Sequence, residues 1–155
     1  MEMECLLIDM TKFKIINTFK KARAGILSTK FGEIKTPVFM PVGTLGSVKG
    51  ISIDFLHKHN FDIILANTYH LMLRPGMDVI QKFKGLNKFM SWNKSILTDS
   101  GGFQIMSLGK NVKIDNEGVT FQSHLDGKKI FLTPEISTQF QHILGSTITM
   151  QLDEC

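Results

Sequence analysis

Short apolar runs recur along the chain, each closing on a polar residue, and between them apolar side chains return every three or four positions. Runs of four or five residues are too short for helices and predict strands. Three of them carry most of the pattern: Ile63–Ala66, leading into Asn67-Thr68-Tyr69-His70; Ser95–Thr98, leading into Asp99; and residues 148–152, leading into Asp153. Two earlier stretches, 13–19 and 37–42, also read as strands, the second opening into GTLGSVKG, whose three glycines suit a tight or ligand-lining turn. Helical spacing fills the gaps. Ser52 can cap a short helix through Ile53, Phe55 and Leu56 that stops near Asn60, and residues 77–84 place Met77, Ile80 and Phe83 on one side before Gly85. Thr133-Pro134-Glu135 predicts a capped helix start with a stripe of Ile136, Phe140, Ile143 and Leu144, ended by Gly145. Residues 111–132 alternate and carry turn signals at Asn116-Glu117-Gly118 and Asp126-Gly127, which predicts an antiparallel excursion in the form of a hairpin.

Strands alternating with helices predict a parallel α/β arrangement, in which the carboxyl ends of the strands form one face. Asn67, Asp99 and Asp153 stand at three such ends and are expected around one pocket. Taken singly, each could be a helix cap or a loop bond. Taken together, two carboxylates on one pocket floor can divide the chemistry: one accepts paired N–H donors and the other moves a proton. Should they be close, like-charge repulsion raises one pKa.

Composition adds bounds. The chain has 155 residues, 43% hydrophobic and 21% charged, which is enough for one domain with a real core and no internal boundary. A net charge of +4 permits a polyanionic partner without requiring one. Cys5 and Cys155 form no CxxC or Cys/His cluster, so neither a disulfide framework nor a thiolate metal site is expected. The acidic opening MEMECLLIDM does not read as a signal peptide, and no apolar run reaches the length of a membrane span, so a cytoplasmic protein is expected.

Four motifs, ILANTYHLMLRPG, LTDSGGFQIMSLG, GVTFQSHLDG and LGSTITMQLDEC, occur in this order. They resemble the amino-terminal part of bacterial tRNA-guanine transglycosylases, over roughly residues 13 to 155. The resemblance implies exchange of guanine at the anticodon wobble position of tRNA for a 7-deazaguanine precursor of queuosine. It implies a (β/α)8 TIM barrel, here the incomplete amino-terminal portion with a small antiparallel excursion. In that reading Asp99 handles the proton of the departing and arriving bases. Ser100, Gly101 and Gly102 line the base pocket, Phe103 stacks on the base, and Asp153 reads its Watson–Crick edge. Asn67, Thr68 and Gln104 support them. Some family members carry Tyr where this chain has Phe103, and both rings stack alike; the competing reading of Phe103 is a core ring.

The histidines are weaker candidates. His57 and His59 suit a solvated helix face, His70, His124 and His142 lack partners at ligand spacing, and Cys155 suits a pocket wall. A barrel of this type needs about 250 residues. The resemblance therefore places the nucleophilic aspartate, the zinc ligands and most of the tRNA-binding surface outside this chain, and no metal ligands within it. The partners it implies are the tRNA anticodon loop, guanine and 7-deazaguanine bases, and either a missing carboxyl-terminal half or a second copy, since the family usually forms dimers. The alternative is a non-catalytic fragment or subunit that binds RNA or a partner.

Overall fold

The computed structural model describes residues 12–153, and the chain divides into two compact units with the boundary between Phe39 and Met40. In the first unit β1 (Lys12–Phe19), β2 (Ala22–Thr29) and β3 (Gly32–Thr36) form an antiparallel sheet in that order. β1 matches the expected strand at 13–19. The other two strands carry little sequence signal, because both turns lack the usual Gly or Asn. Phe19 pairs with Ala22 and Thr29 with Gly32, leaving the two-residue loops Lys20-Lys21 and Lys30-Phe31. Lys20 adopts φ 53, where hairpin turns ordinarily place Gly or Asn.

The second unit begins with a correction. Of the expected strand at 37–42, only β4 (Val42–Gly43) pairs with a neighbour. Pro37 and Pro41 have no N–H to give a ladder. Ser52 caps α1 (Ile53–Lys58) by accepting from Phe55 N at 3.2 Å, as its position predicts. β5 (Ile63–Ala66) follows and runs straight into α2 (Thr68–Leu73), a helix the sequence did not reveal. α3 (Met77–Lys82) is shorter than the expected helix, and Gly85, at φ 107, does not only stop it but opens a further helix, α4 (Leu86–Met90). β6 (Ser95–Thr98) has the expected bounds, and α5 (Gly102–Leu108) starts almost at once after it.

The expected hairpin is a three-stranded antiparallel sheet of β7 (Lys110–Ile114), β8 (Val119–Gln122) and β9 (Lys129–Leu132). Asp115 makes its first turn, its Oδ1 accepting from Glu117 N and Gly118 N at 2.9 and 3.0 Å. α6 (Pro134–Leu144) starts at Thr133, which accepts from Ile136 N, and stops at Gly145 in the left-handed region. β10 (Ile148–Thr149) is all that pairs of the expected strand at 148–152.

The parallel sheet has the order β10-β6-β5-β4. Ile64, Ala66 and Ile96 sit fully buried in one core cluster with Leu56, Leu71, Ile80, Phe140 and Leu144 of the helices. Burial on this scale contributes about 1.5–3 kcal/mol per large side chain, so the helical layer fixes the sheet and with it the strand ends. Val42, Leu65, Leu97 and Ile148 are register neighbours across all four strands. This second apolar row is only partly covered: Leu65, Leu97 and Ile148 are half-buried and Val42 is exposed. A second cluster joins Tyr69 and Ile105 to Val119, Phe121 and Leu132 of the antiparallel sheet. The fold is thus mixed α/β, with parallel and antiparallel sheets. Among the described residues no helix is long and apolar enough to cross a membrane.

Candidate functional site

Asp99 is the first residue after β6, and its N–H still donates to Ala66 O at 3.2 Å, so the ladder carries it to the sheet edge. Its carboxylate is held on both oxygens. Thr68 N donates to Oδ1 at 2.8 Å and Asn67 Nδ2 donates to Oδ2. The Thr68 hydroxyl donates to the Asp99 carbonyl. Asn67 serves two ends at once, since its Oδ1 caps α2 by accepting from His70 N at 3.1 Å. Burial pushes the Asp99 carboxyl up to about 6; the Thr68 N–H opposes the rise and the charge of Asp153 adds to it.

Asp153 reaches the same place from beyond β10. Ser100 Oγ donates to its Oδ1, and Gly102 N donates back to Ser100 Oγ at 3.2 Å. The two glycines have separate reasons. Gly101 adopts φ 88, a region costly for other residues, and a Cβ there would stand 3.2 Å from Tyr69 N. Gly102 has ordinary φ, but a Cβ would collide with the Asp153 carbonyl and lie 2.7 Å from its Oδ1. Glycine is what lets Asp153 approach.

The sequence expectation that Asn67, Asp99 and Asp153 share a face therefore holds in the geometry. Phe103 is 61% exposed and packs into neither core cluster of the described residues. Gln104 is half-buried on α5, and among the described residues its side chain has no hydrogen-bond partner, so it does not join this network. A cavity of about 190 Å³ opens beside Asp153, between Gly102, Ile105 and Met106 on one side and Gly118 and Val119 on the other, with Leu152 at its wall.

Several contacts escaped the sequence. Buried Tyr69 places its hydroxyl 2.8 Å from His124 Nδ1, and the two rings stack at 5.5 Å. His70 meets His124 edge-on at 5.7 Å; burial and then the neighbouring His124 hold its pKa below the usual value. His57 stacks on Trp92 at 4.8 Å and is half-buried, so it is not simply a solvated face residue. Ser137 and Gln141 of α6 are buried polar side chains bonded to the backbone around the site. A polar residue inside an apolar helix stripe was the available signal. Among the described residues no three His, Cys, Asp or Glu side chains converge as a metal site. Cys5 and Cys155 lie outside the described residues.

The profile of the family described as "Queuine tRNA-ribosyltransferase" matches residues 18–155. Queuine tRNA-ribosyltransferases of Rickettsia prowazekii (strain Madrid E) and Rickettsia bellii (strain RML369-C) are 57% and 58% identical to it over 143 residues. Each alignment takes in 92% of this chain and 40% of the relative's own length. By the extent and identity of these matches, the chain belongs to the queuine tRNA-ribosyltransferase family.

Proposed function

We propose that this chain forms the base-binding and proton-transfer part of a tRNA base-exchange enzyme, which replaces guanine at the anticodon wobble position with a 7-deazaguanine precursor of queuosine. The observation that carries it is the meeting of Asp99, directly after β6, and Asp153, beyond β10, one half-buried with a raised pKa and the other beside a cavity. Guanine and its 7-deaza analogues present N1–H and an exocyclic amine side by side. The Asp153 carboxylate accepts from both, whereas adenine would set an acceptor against it. With a pKa near 6, Asp99 is mostly ionised at neutral pH yet close enough to neutrality to take and return a proton. The exposed Phe103 ring offers a stacking face to a base drawn out of the anticodon loop.

The partly covered row of Val42, Leu65, Leu97 and Ile148 supports the reading of these strands as one arc of a (β/α)8 barrel, since a closed barrel would fill that face with side chains. The reading assigns the nucleophilic aspartate and the zinc ligands to family residues beyond 12–153, and places the protein in the cytoplasm with tRNA as its partner. It is tested by assaying labelled-guanine incorporation into tRNA by residues 1–155, with and without a separately expressed carboxyl-terminal portion of a family enzyme. Exchange by the mixture alone is the expected result. Exchange by the chain alone would overturn the division of roles, and none from a folded mixture would favour a non-catalytic RNA- or partner-binding subunit.

A further inference from the structure

Gln141 is fully buried in the middle of α6. Burying a primary amide costs several kcal/mol unless its two donors and two acceptor sites are met. All four are met here. Nε2 donates to Met150 O at 2.8 Å and to Ser137 Oγ at 3.3 Å, while Oε1 accepts from Met150 N at 3.0 Å and from Thr98 Oγ1 at 2.8 Å. The amide thus pairs with both backbone groups of Met150, as a neighbouring strand would. β10 ends at Thr149, level with the end of β6 at Thr98, and Met150 beyond it pairs with α6.

The partners of this cluster all flank the two carboxylates. Thr98 precedes Asp99, Met150 stands three residues before Asp153, and Ser137, one helical turn before Gln141, donates to Ser100 O at 2.8 Å. Ser100 in turn holds Asp153. One face of one helix therefore holds the Thr98 hydroxyl before Asp99, the Ser100 carbonyl after it, and the backbone of Met150 on the approach to Asp153.

We propose that Gln141, seconded by Ser137, is a positioning residue that fixes the placement of the Asp153 carboxylate relative to Asp99. It touches neither carboxylate and acts through Met150, Thr98 and Ser100. A filler of the core would serve equally well as Met, whereas a positioning amide would not. The functional meaning of the proposal rests on the base-exchange reading, so one of its two tests avoids catalysis.

The first test titrates the Asp99 carboxyl by NMR in the isotope-labelled chain, with and without Asp153→Asn, in the parent, in Gln141→Met and in Ser137→Ala. In the parent, removing the Asp153 charge lowers the Asp99 pKa. The expected result is that Gln141→Met shrinks this lowering, with a smaller loss in Ser137→Ala, which keeps the result readable if Gln141→Met fails to fold. An undiminished lowering in the folded variants overturns the proposal, and so does its absence in the parent. The second test is guanine exchange in the reconstituted pair. Gln141→Met should raise the KM for guanine about tenfold while changing kcat less. A merely structural role would instead reduce the active fraction, lowering kcat at constant KM, and would overturn it. A parent pair without exchange removes the base-exchange reading and leaves the titration to judge Gln141.

Discussion

The ends of β6 and β10 deliver the same functional group in opposite ways. β6 is a central strand with four paired residues, and Asp99 at its end is half-buried, gripped on both oxygens by Asn67 and Thr68. β10 lies at the sheet edge, pairs over two residues, and Asp153 beyond it is exposed. The first environment raises a pKa to about 6 and suits a group that changes protonation state. The second leaves a carboxylate beside a cavity and suits one that reads donors. Two chemically equal side chains are made unequal by what surrounds them.

The sharpest way to break this contrast is to remove the proton carrier. Asp99→Asn in the reconstituted pair keeps the shape and much of the bonding but cannot exchange a proton. Labelled-guanine incorporation should fall by about 10³-fold, within the range for general acid–base groups. Retention of more than a small part of the rate would end the proton-transfer role.

Asp153→Asn should come next. The amide offers one acceptor and turns an NH₂ toward the base's donors, so incorporation at low guanine should drop by about 10²-fold, mostly through KM. An unchanged KM in a folded variant would take Asp153 out of base reading and collapse the contrast from its other side.

A third measurement sharpens the contrast without any substrate. The folded pKa of Asp99 is raised from 3.8 to about 6, so folding favours its protonated form. The stability this contributes is fully present below the unfolded pKa and is lost as pH rises through the folded one. Between about pH 4 and pH 6 the parent chain should therefore lose stability relative to Asp99→Asn, which has nothing to ionise there. Thermal unfolding of both across this window checks it, and parallel curves would mean that Asp99 is not desolvated.

The smallest expected effect lies away from the carboxylates. Tyr69→Phe removes the hydroxyl bonded to His124 while keeping the buried ring, and should cost about 1 kcal/mol in denaturant unfolding. Guanine KM should not move. A large change in KM would show that the antiparallel sheet tunes the site as well as walling it.

The amino-acid sequence by itself determined β5, β6 and α6, together with the Ser52 and Thr133 caps and the Gly145 stop. These are local events: a strand buried on both faces is a continuous apolar run, and a cap is a side chain bonding its own backbone three residues on. It also placed Asn67 and Asp99 at strand ends, because a polar residue closing an apolar run needs no knowledge of distant chain, whereas Asp153 lies beyond β10 and not at its end. The DSGGFQ motif marked the site for the same local reason, although Gln104 within it stays outside the bonded network.

Tertiary structure alone decided the rest. Beyond β10, Gln141 of α6 bonds both backbone groups of Met150, and no periodicity in residues 148–152 announces a partner on another helix. Tyr69 and His124 are 55 positions apart, and Ser100 and Asp153 are 53 apart. Hydrophobic spacing reports which side of an element faces the core, but pairing between buried polar groups depends on how whole elements come together, because each group must find its partner wherever the packing leaves one.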